Sequence, residues 1–336
     1  MLVRTPEQLR DVATAIFLAA GADEEITSTV VEHLIDANLT GHDSHGVIRI
    51  PSYVRAIKEG QIVPTARPEV VRETAAMTLI DARHGFGHVS ALFATDAVVA
   101  KARQHGVAIA GTFHGNHIGR LGYYPTRAAS QGVALLVAYG ALGRSGAPYG
   151  GRSGALGTNP ISFGFPAPDD EPFLLDFATT AIAGGKVMVA RAKHEPLPPN
   201  TMVDKDGRPT TDPNALSQGG ALLPFGGHKG YALSLMTVLL SSVLVRADDG
   251  EAGRGGSKVF FCAIDSGVFG PGAPGAAAEV FERVRAVPPA EGFERVLIPG
   301  EPERRSAARR RTEGIPVAED TWQSLTATAA ELGVSL

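Results

Sequence analysis

Cysteine is nearly absent from this chain, which has only one, Cys262, among its 336 residues. A single thiol excludes an internal disulfide framework and indicates a reducing compartment, so we expect a cytoplasmic protein. Cys262 stands in the apolar run 259–264. A thiol in such a run is typical of a buried structural residue rather than a nucleophile.

Charge of one sign and long apolar runs are also scarce. The formal net charge is −4 and 20% of residues are charged, with no broad basic field of the kind that binds nucleic acid. The longest strongly apolar run, 231–245, is too short to cross a bilayer and is interpreted as a buried helix. The apolar run 12–22 follows a capping box at residues 5–8, which predicts an amphipathic helix rather than an export signal. We therefore expect neither a nucleic-acid nor a membrane partner.

Several catalytic motifs are missing or incomplete. The G-x-S-x-G of nucleophile-elbow hydrolases and the H-E-x-x-H of zinc proteases do not occur. In the glycine-rich segment 85–90, Ser90 replaces the third glycine of a dinucleotide fingerprint, and strand 107–113 ends without an acid to hold a ribose. Segment 226–230 has His228 and Gly230 where a P-loop needs glycine and Ser/Thr. Neither Rossmann nor Walker chemistry is favoured.

Two histidine pairs have spacings that a metal site could use, His84 with His88 and His114 with His117. Neither pair has a convincing third ligand nearby in the sequence. We therefore expect no catalytic metal.

Apolar periodicity predicts alternating strands and helices. An opening helix is followed by a second one, capped by Asp23 and ending at Gly41. Further predicted helices are 90–105, 124–131, 231–245 and 277–286, with two more beginning near Glu301 and Glu319. Predicted strands are a pair within 70–81, then 107–113, 133–139, 161–166, 173–177, 259–265 and 293–298, with a glycine-rich loop at 140–157 and a proline-rich loop at 193–214. The alternation favours the α/β class.

The segment Ser44-His45-Gly46-Val47-Ile48-Arg49 is the strongest chemical signal. If this stretch is helical, its spacing puts His45 and Arg49 on one face, and Pro51 should make that helix kink or restart. Arginine can bind a carboxylate through two parallel hydrogen bonds, and histidine can exchange a proton near neutral pH. Together these groups suit a 2-oxo acid.

Glycine-flanked polar clusters recur at 115–124, 156–160, 175–180, 223–231 and 299–301, each ending or following an apolar segment. Glycine lets the backbone approach a ligand, and polar groups at strand ends can converge on it. A run of arginines at 304–311 lies on a predicted helix beside two glutamates. That run is typical of a solvated face or subunit contact, with a contact to a cofactor phosphate as the alternative.

These blocks, in this order, resemble the malate/L-lactate dehydrogenase family, which is distinct from Rossmann-type lactate dehydrogenases. The resemblance covers about 41–322, and the block 117–123 is similar to the hydroxycarboxylate dehydrogenase branch. It implies an α/β, non-Rossmann nicotinamide-binding fold with a mixed sheet, flanking helices, and helical N- and C-terminal segments. We expect a helical segment 1–70 that packs with helices in 301–336 around an α/β core at 71–300. A homodimer with its active site near the interface is also implied.

The resemblance further implies roles for individual residues. His45 would be the proton donor and Arg49 the carboxylate clamp, with His117 as the second acid/base candidate. Substrate would lie near Ser44, Thr158 and Asn159. The cofactor, NAD or NADP, would contact His45, Gly119, Arg120, Leu121, Asp176, Phe177, Ala178, Thr179, Thr180, His228, Lys229, Gly300 and Glu301. The chain departs from its relatives at 200–202, where we expect an altered pocket wall. It also departs at Ala232, where we expect a change only in the packing of a helix.

The reaction implied is reversible hydride transfer between NAD(P)H and a small 2-oxo acid, giving the 2-hydroxy acid. One alternative is a reductase of cyclic imino carboxylates, such as pyrroline- or piperideine-2-carboxylate. A second is a ligand-binding paralogue without catalysis, which the joint presence of His45, Arg49, His117 and Lys229 disfavours.

Overall fold

The computed structural model describes residues 1–245 and 256–335. Its helices are α1 (Pro6–Ala19), α2 (Glu24–Leu39), α3 (Ile50–Lys58), α4 (Gly87–His105), α5 (Tyr123–Ala129), α6 (Gly184–Lys193), α7 (His228–Val238), α8 (Ala273–Arg285), α9 (Glu301–Glu313) and α10 (Glu319–Glu331). Its strands are β1 (Leu2–Arg4), β2 (Glu69–Glu73), β3 (Met77–Asp81), β4 (Val107–Gly115), β5 (Val133–Tyr139), β6 (Leu142–Gly146), β7 (Ile161–Phe165), β8 (Phe173–Phe177), β9 (Met202–Val203), β10 (Pro209–Thr210), β11 (Ala221–Leu222), β12 (Ser257–Asp265) and β13 (Ile315–Val317).

A seven-stranded mixed sheet forms the centre, in the order β2-β3-β4-β12-β5-β7-β8. Only β3 and β4 pair in parallel, because α4 carries the chain back across the sheet between them, while the other neighbours pair antiparallel. Apolar side chains of α4, α5 and the central strands form one core. A four-stranded sheet, β10-β9-β11-β6, and the pair β1-β13 lie outside it.

The N-terminal helices begin where the sequence predicts. Thr5 and Gln8 form the reciprocal capping box of α1, and the Asp23 carboxylate accepts from the Ile26 N–H at the start of α2. The apolar faces of α1, α2 and α3 share a second core with side chains of β13, α9 and α10. Residues near both ends of the described chain therefore stabilise the same helical layer.

The segment with His45 and Arg49 is not the continuous α-helix that its spacing suggested. Asp43–His45 and Val47–Arg49 are separate 3₁₀ turns, divided by Gly46 in an extended conformation. The α-helix starts only at Ile50 with Pro51 in its first turn, so the predicted restart at this proline is confirmed.

Two other predictions are wrong. Residues 293–298 form no strand, and Phe293 is 71% exposed. The backbone bond from the sheet edge, donated by the Leu174 N–H, goes to the Pro299 carbonyl just after this segment. The run 231–245 is not a buried helix. It begins within α7, continues as a π-helix over Leu239–Leu244, and leaves Leu239 57% and Leu244 62% exposed.

The loop predictions hold in outline. The glycine-rich loop contains the short strand β6, and the proline-rich loop contains the β9–β10 pair, with Gly207 at a φ of +82° between them. Cys262 lies in the middle of β12, half-buried, and burial raises the pKa of its thiol. None of the helices in residues 1–245 and 256–335 is both long and apolar enough to span a membrane.

Candidate functional site

Ser44 links Arg49 to His45. The Arg49 Nε–H donates to the Ser44 carbonyl oxygen at 2.6 Å, and the Ser44 hydroxyl lies 3.1 Å from His45 Nδ1. Within the described residues, Arg49 has no carboxylate partner. Its guanidinium is therefore oriented through Nε while its two terminal nitrogens are available to a carboxylate ligand.

The two 3₁₀ turns over residues 43–49, called the turn segment below, are bonded to side chains of α2 and α9. The Asn38 side chain accepts from the Val47 N–H at 2.9 Å and donates to the Asp43 carboxylate at 2.7 Å. A Cβ on Gly46 would lie 2.1 Å from the Asn38 side chain, so glycine is required here for the close approach. Arg310 of α9 completes the anchor by bonding to Asp43. This ion pair within the chain differs from the roles expected for the arginine run, which were a solvated face or subunit contact and a contact to a cofactor phosphate.

His117 faces His45 from the end of β4. The two rings stack at an angle of 14° with centroids 5.6 Å apart. Nδ1 of His117 lies 2.7 Å from the Tyr53 hydroxyl and accepts from the Gly119 N–H at 3.3 Å. Tyr53 lies on α3, directly after the turn segment, so one short stretch of chain positions both imidazoles.

Helix α2 also fixes the loop 117–122. His33 Nε2 accepts from the Arg120 N–H at 2.9 Å, and one turn later Asp36 pairs with the Arg120 guanidinium at 2.8 Å. Gly119 has a φ of +71°, and a Cβ there would lie 2.2 Å from the His33 ring. Both facts require glycine at 119.

Asp176 at the end of β8 joins this loop from the other side. Its carboxylate accepts from the Gly122 N–H at 2.8 Å and lies 4.0 Å from the Arg120 guanidinium. Burial raises the pKa of Asp176, opposed by the charge of Arg120. Arg120 itself is only 3% exposed, and its Nε and Nη1 have no hydrogen-bond partner. The predicted cofactor residues Arg120 and Asp176 thus lie side by side, and two nitrogens of Arg120 have no hydrogen-bond partner among the described residues.

Burial keeps the imidazoles of the site neutral. It lowers the pKa of His45 to about 4, with the Arg49 charge as the next cause. It lowers the pKa of His88, which lies behind His117, to about 3. The pKa of His117 is lowered well below its usual range by burial, then by His88, Arg49 and His45. Neutral rings near pH 7 can accept a proton or donate a hydrogen bond.

Hydrogen bonds connect a second group of predicted residues near the end of β8 and the start of α7. Thr179 N–H and hydroxyl both donate to the Thr158 carbonyl, and the Phe225 N–H donates to the Thr179 carbonyl. The Asn159 side chain accepts from Ala141 N–H and donates to the Ser234 hydroxyl. Asn159 is buried, and each end of its amide makes one hydrogen bond inside the protein, which leaves one N–H and one oxygen lone pair of the side chain unassigned.

The remaining predicted residues lie around this second group. Phe177 packs edge-on against Phe225 at 5.2 Å, and the Thr180 hydroxyl donates to the Ile182 carbonyl. Leu121 is buried, and Ala178 is half-buried. His228 and Lys229 are exposed at the start of α7 and, in the described part of the chain, form no hydrogen bond to His45 or His117.

Glu301 lines a cavity of about 560 Å³ near the start of β8, and Gly300 precedes it as the N-cap of α9. Its wall carries four arginines, two glutamates and two apolar residues: Arg285, Arg295, Arg304, Arg305, Glu171, Glu301, Val296 and Ala308. Arg285 and Arg305 pair with Glu301 at 2.6 and 3.6 Å. Four cations against two anions give a lining with an excess of two positive charges, which suits phosphate.

Residues that sequence reasoning missed hold the site together. Tyr53, His33 and Asp36 are far in sequence from the groups they support, and no motif marks them. His88 stands out in the sequence only as a member of a histidine pair and of the glycine-rich segment 85–90. The amphipathic faces of α2 and α3 were the only signal. Of the tempting histidine pairs, His84 stacks on His114 rather than meeting His88. Across the described residues, no group of three or more His, Cys, Asp or Glu could hold a metal.

Comparison with known proteins gives a consistent assignment. The model of the malate/L-lactate dehydrogenase family matches residues 5–326. Hydroxycarboxylate dehydrogenase B of Escherichia coli O157:H7 is 35% identical over 338 residues, covering 98% of this chain and 94% of the relative. The delta(1)-pyrroline-2-carboxylate/delta(1)-piperideine-2-carboxylate reductase of Pseudomonas putida is 34% identical over 335 residues, covering 96% of each.

A solved structure supports the same family. Sulfolactate dehydrogenase from Methanocaldococcus jannaschii has a TM-score of 0.89 and 34% identity, covering 99% of this chain and 98% of that one. The α/β fold expected from the resemblance is therefore confirmed. The chain belongs to the malate/L-lactate dehydrogenase family of oxidoreductases.

Proposed function

We propose that the chain interconverts a small 2-oxo acid and its 2-hydroxy acid with NAD or NADP as cofactor. The observation that carries this proposal is Arg49, oriented by Ser44, without a carboxylate partner in the described chain, and beside two stacked imidazoles. An arginine held in this way binds a carboxylate in a fixed orientation. The oxygen on the neighbouring carbon would then lie within reach of His45 and His117.

The two imidazoles supply the proton chemistry. Each ring has its Nδ1 occupied, by Ser44 for His45 and by Tyr53 with Gly119 for His117. Neutral His45 can accept the hydroxyl proton when a 2-hydroxy acid is oxidised. In the reducing direction His45 must first be protonated, and the carboxylate of a bound substrate favours this by raising the pKa of the ring. Help of this kind accelerates a reaction by roughly 10²–10⁴-fold.

The residues of the loop 117–122 and of β8 fit a dinucleotide. Buried Arg120 has two unpartnered nitrogens for phosphate or hydroxyl oxygens, and Asp176 has a carboxylate oxygen for a ribose hydroxyl. The arginine-lined cavity beside Glu301 suits phosphate groups. When bound, the reduced nicotinamide supplies a hydride to the carbonyl carbon. The chain's own part is to orient the acid, exclude water and move one proton.

The test is a titration of the purified protein with NADH and NADPH, followed by a screen of 2-oxo acids and cyclic imino carboxylates. We expect saturable binding of at least one reduced cofactor and its oxidation by a small 2-oxo acid. Cofactor binding without oxidation by any acid or imine in the screen would contradict this function and favour a ligand-binding paralogue.

A second candidate is reduction of a cyclic imino carboxylate. Its support is the 34% identity to the Pseudomonas putida reductase, whose name gives cyclic substrates with the same carboxylate next to a C=N bond. Arg49 would bind that carboxylate in the same way. Parallel assays with phenylpyruvate and pyrroline-2-carboxylate separate the two, and a kcat/KM at least tenfold higher for the imine would favour the second candidate.

We also propose a homodimer. Four large apolar side chains of α7 and the π-helix after it are at least one-third exposed: Leu235, Leu239, Val243 and Leu244. A contiguous exposed apolar surface of this kind marks an interface in many proteins. Sedimentation equilibrium should give twice the chain mass, and Leu239→Glu should lower the association constant. A monomer at micromolar concentration would contradict the proposal.

A further inference from the structure

The Tyr53 hydroxyl is buried and directed at one atom. Tyr53 is 6% exposed, and its oxygen lies 2.7 Å from His117 Nδ1. Within the described chain this ring nitrogen is the one acceptor for that hydroxyl. A buried phenol loses stability unless its proton has an acceptor, so the hydroxyl donates to Nδ1.

A backbone donor supports the same assignment through a second, longer and weaker contact. Gly119 N–H lies 3.3 Å from the same Nδ1 and can only donate. Two donors on one nitrogen require Nδ1 to carry its lone pair, so the proton of the neutral ring is on Nε2. Nε2 has no partner among the described residues and is the free polar atom of the ring.

The groups around His117 favour the neutral ring. His88 of α4 packs edge-on at 6.3 Å, and His45 of the turn segment stacks at 5.6 Å. Arg49 adds a positive charge on the same side, and Tyr53 of α3 is neutral. Among the described residues, the side chains that lower the pKa of this ring are His88, Arg49 and His45, and none of these is a carboxylate. A second proton on His117 would thus be buried beside a cation with no anion to balance it.

We propose that Tyr53 is a positioning residue that holds His117 in the Nε2–H tautomer, so that this ring presents a hydrogen-bond donor to the reacting oxygen. The second half rests on the proposed function. A neutral Nε2–H ring stabilises negative charge on oxygen but cannot release its proton without becoming an imidazolate. The proton that the oxygen receives therefore comes from His45: its Nε2–H bond breaks, an O–H bond forms, and the His45 ring becomes neutral.

Long-range ¹H–¹⁵N correlation spectra of the ligand-free protein, labelled with ¹⁵N-histidine, test the tautomer. The signals that vanish in His117→Gln belong to His117. We expect an unprotonated Nδ1 and a protonated Nε2 at pH 7.5. A protonated Nδ1 would overturn the proposal. Since this measurement needs neither substrate nor turnover, it stands or fails separately from the proposed function.

Tyr53→Phe tests the positioning. We expect signals of both tautomers of His117, a kcat lower by about tenfold, and a KM for the 2-oxo acid that stays within twofold. Tyr124→Phe is the matched control, because its buried hydroxyl donates to the Ile118 carbonyl rather than to a ring nitrogen. The control should lose thermal stability yet keep the Nε2–H tautomer. Unchanged tautomer signals in Tyr53→Phe, whatever its kcat, would overturn the proposal.

Discussion

Arg310 and Asp43, 267 residues apart, form a two-pronged ion pair with N–O distances of 2.7 and 3.1 Å. Asp43 begins the 3₁₀ turn that carries His45, and Arg310 lies on α9, so the pair joins the C-terminal helices to the turn segment. Arg310 also donates to the Asn38 carbonyl, which brings α2 into the same contact. The geometry of the candidate site thus depends on the helical layer behind it.

Removing this contact should reduce activity as well as stability. In Arg310→Ala, Asp43 loses its partner and the turn segment gains freedom, so we expect a loss of about 1.5–3 kcal/mol in the free energy of unfolding. We also expect a lower kcat/KM, measured by steady-state kinetics beside urea unfolding. Arg309→Ala is the control, because Arg309 is exposed on the same helix and has no ion pair within the described residues. Equal stability of the two variants would contradict this role.

The sequence was informative where a feature depends on neighbours along the chain. The capping box of α1 and the strand β4 depend on a few adjacent residues, and both were predicted. The same holds for Arg49 and His45, which both contact the neighbouring Ser44. The helix predicted there is interrupted at Gly46, which is extended, and the Val47 N–H donates to Asn38 of another helix instead of to the preceding turn.

Features that depend on distant partners could not be predicted. Residues 293–298 have a strand-like composition, yet the backbone bond donated by the sheet edge goes to the Pro299 carbonyl, after the segment has ended. Tyr53 and His117 are 64 residues apart, and nothing in either local pattern shows that they meet. The apolar run 231–245 could not reveal which side chains are covered, because its exposed leucines face away from the described chain.

Acid should destabilise the protein through its buried imidazoles. In the folded state the pKa of His88 is about 3, and burial lowers those of His33, His45 and His117 as well. Between pH 3 and 6.5 the unfolded chain binds a proton at His88 that the folded chain does not, so stability falls as pH falls through this window. Above pH 6.5 neither the folded nor the unfolded chain binds this proton, so His88 no longer makes the stability depend on pH.

His88→Leu should therefore make the free energy of unfolding depend less steeply on pH. Removing one proton uptake lowers the slope of unfolding free energy against pH by about 1.4 kcal/mol per unit between pH 4 and 6. Both His88 nitrogens are unpartnered, so at pH 8 we expect no loss from hydrogen bonding. Urea unfolding at half-unit pH steps gives the slope. His105→Leu, exposed on the same helix, should leave it unchanged.

Arg49→Lys should weaken substrate binding while leaving cofactor binding intact. Lysine cannot make two parallel hydrogen bonds to a carboxylate, so we expect KM for the 2-oxo acid to rise about 10–100-fold. The Kd for NAD(P)H, from fluorescence titration, should stay within twofold. Arg55→Lys, exposed on α3, is the matched control and should behave as wild type. An unchanged KM in Arg49→Lys would remove this residue from the substrate site.

The arginine-lined cavity leads to a prediction about cofactor preference. NADPH carries one phosphate more than NADH, and the lining has four arginines against two glutamates. We therefore expect tighter binding of NADPH. Arg305 is 43% exposed and pairs only loosely with Glu301, at 3.6 Å, so its guanidinium can reorient toward a phosphate. In Arg305→Ala the Kd for NADPH should rise about tenfold and that for NADH less than threefold. Fluorescence titrations of wild type, Arg305→Ala and the exposed control Arg309→Ala measure this, and an equal change for both cofactors would place the extra phosphate elsewhere.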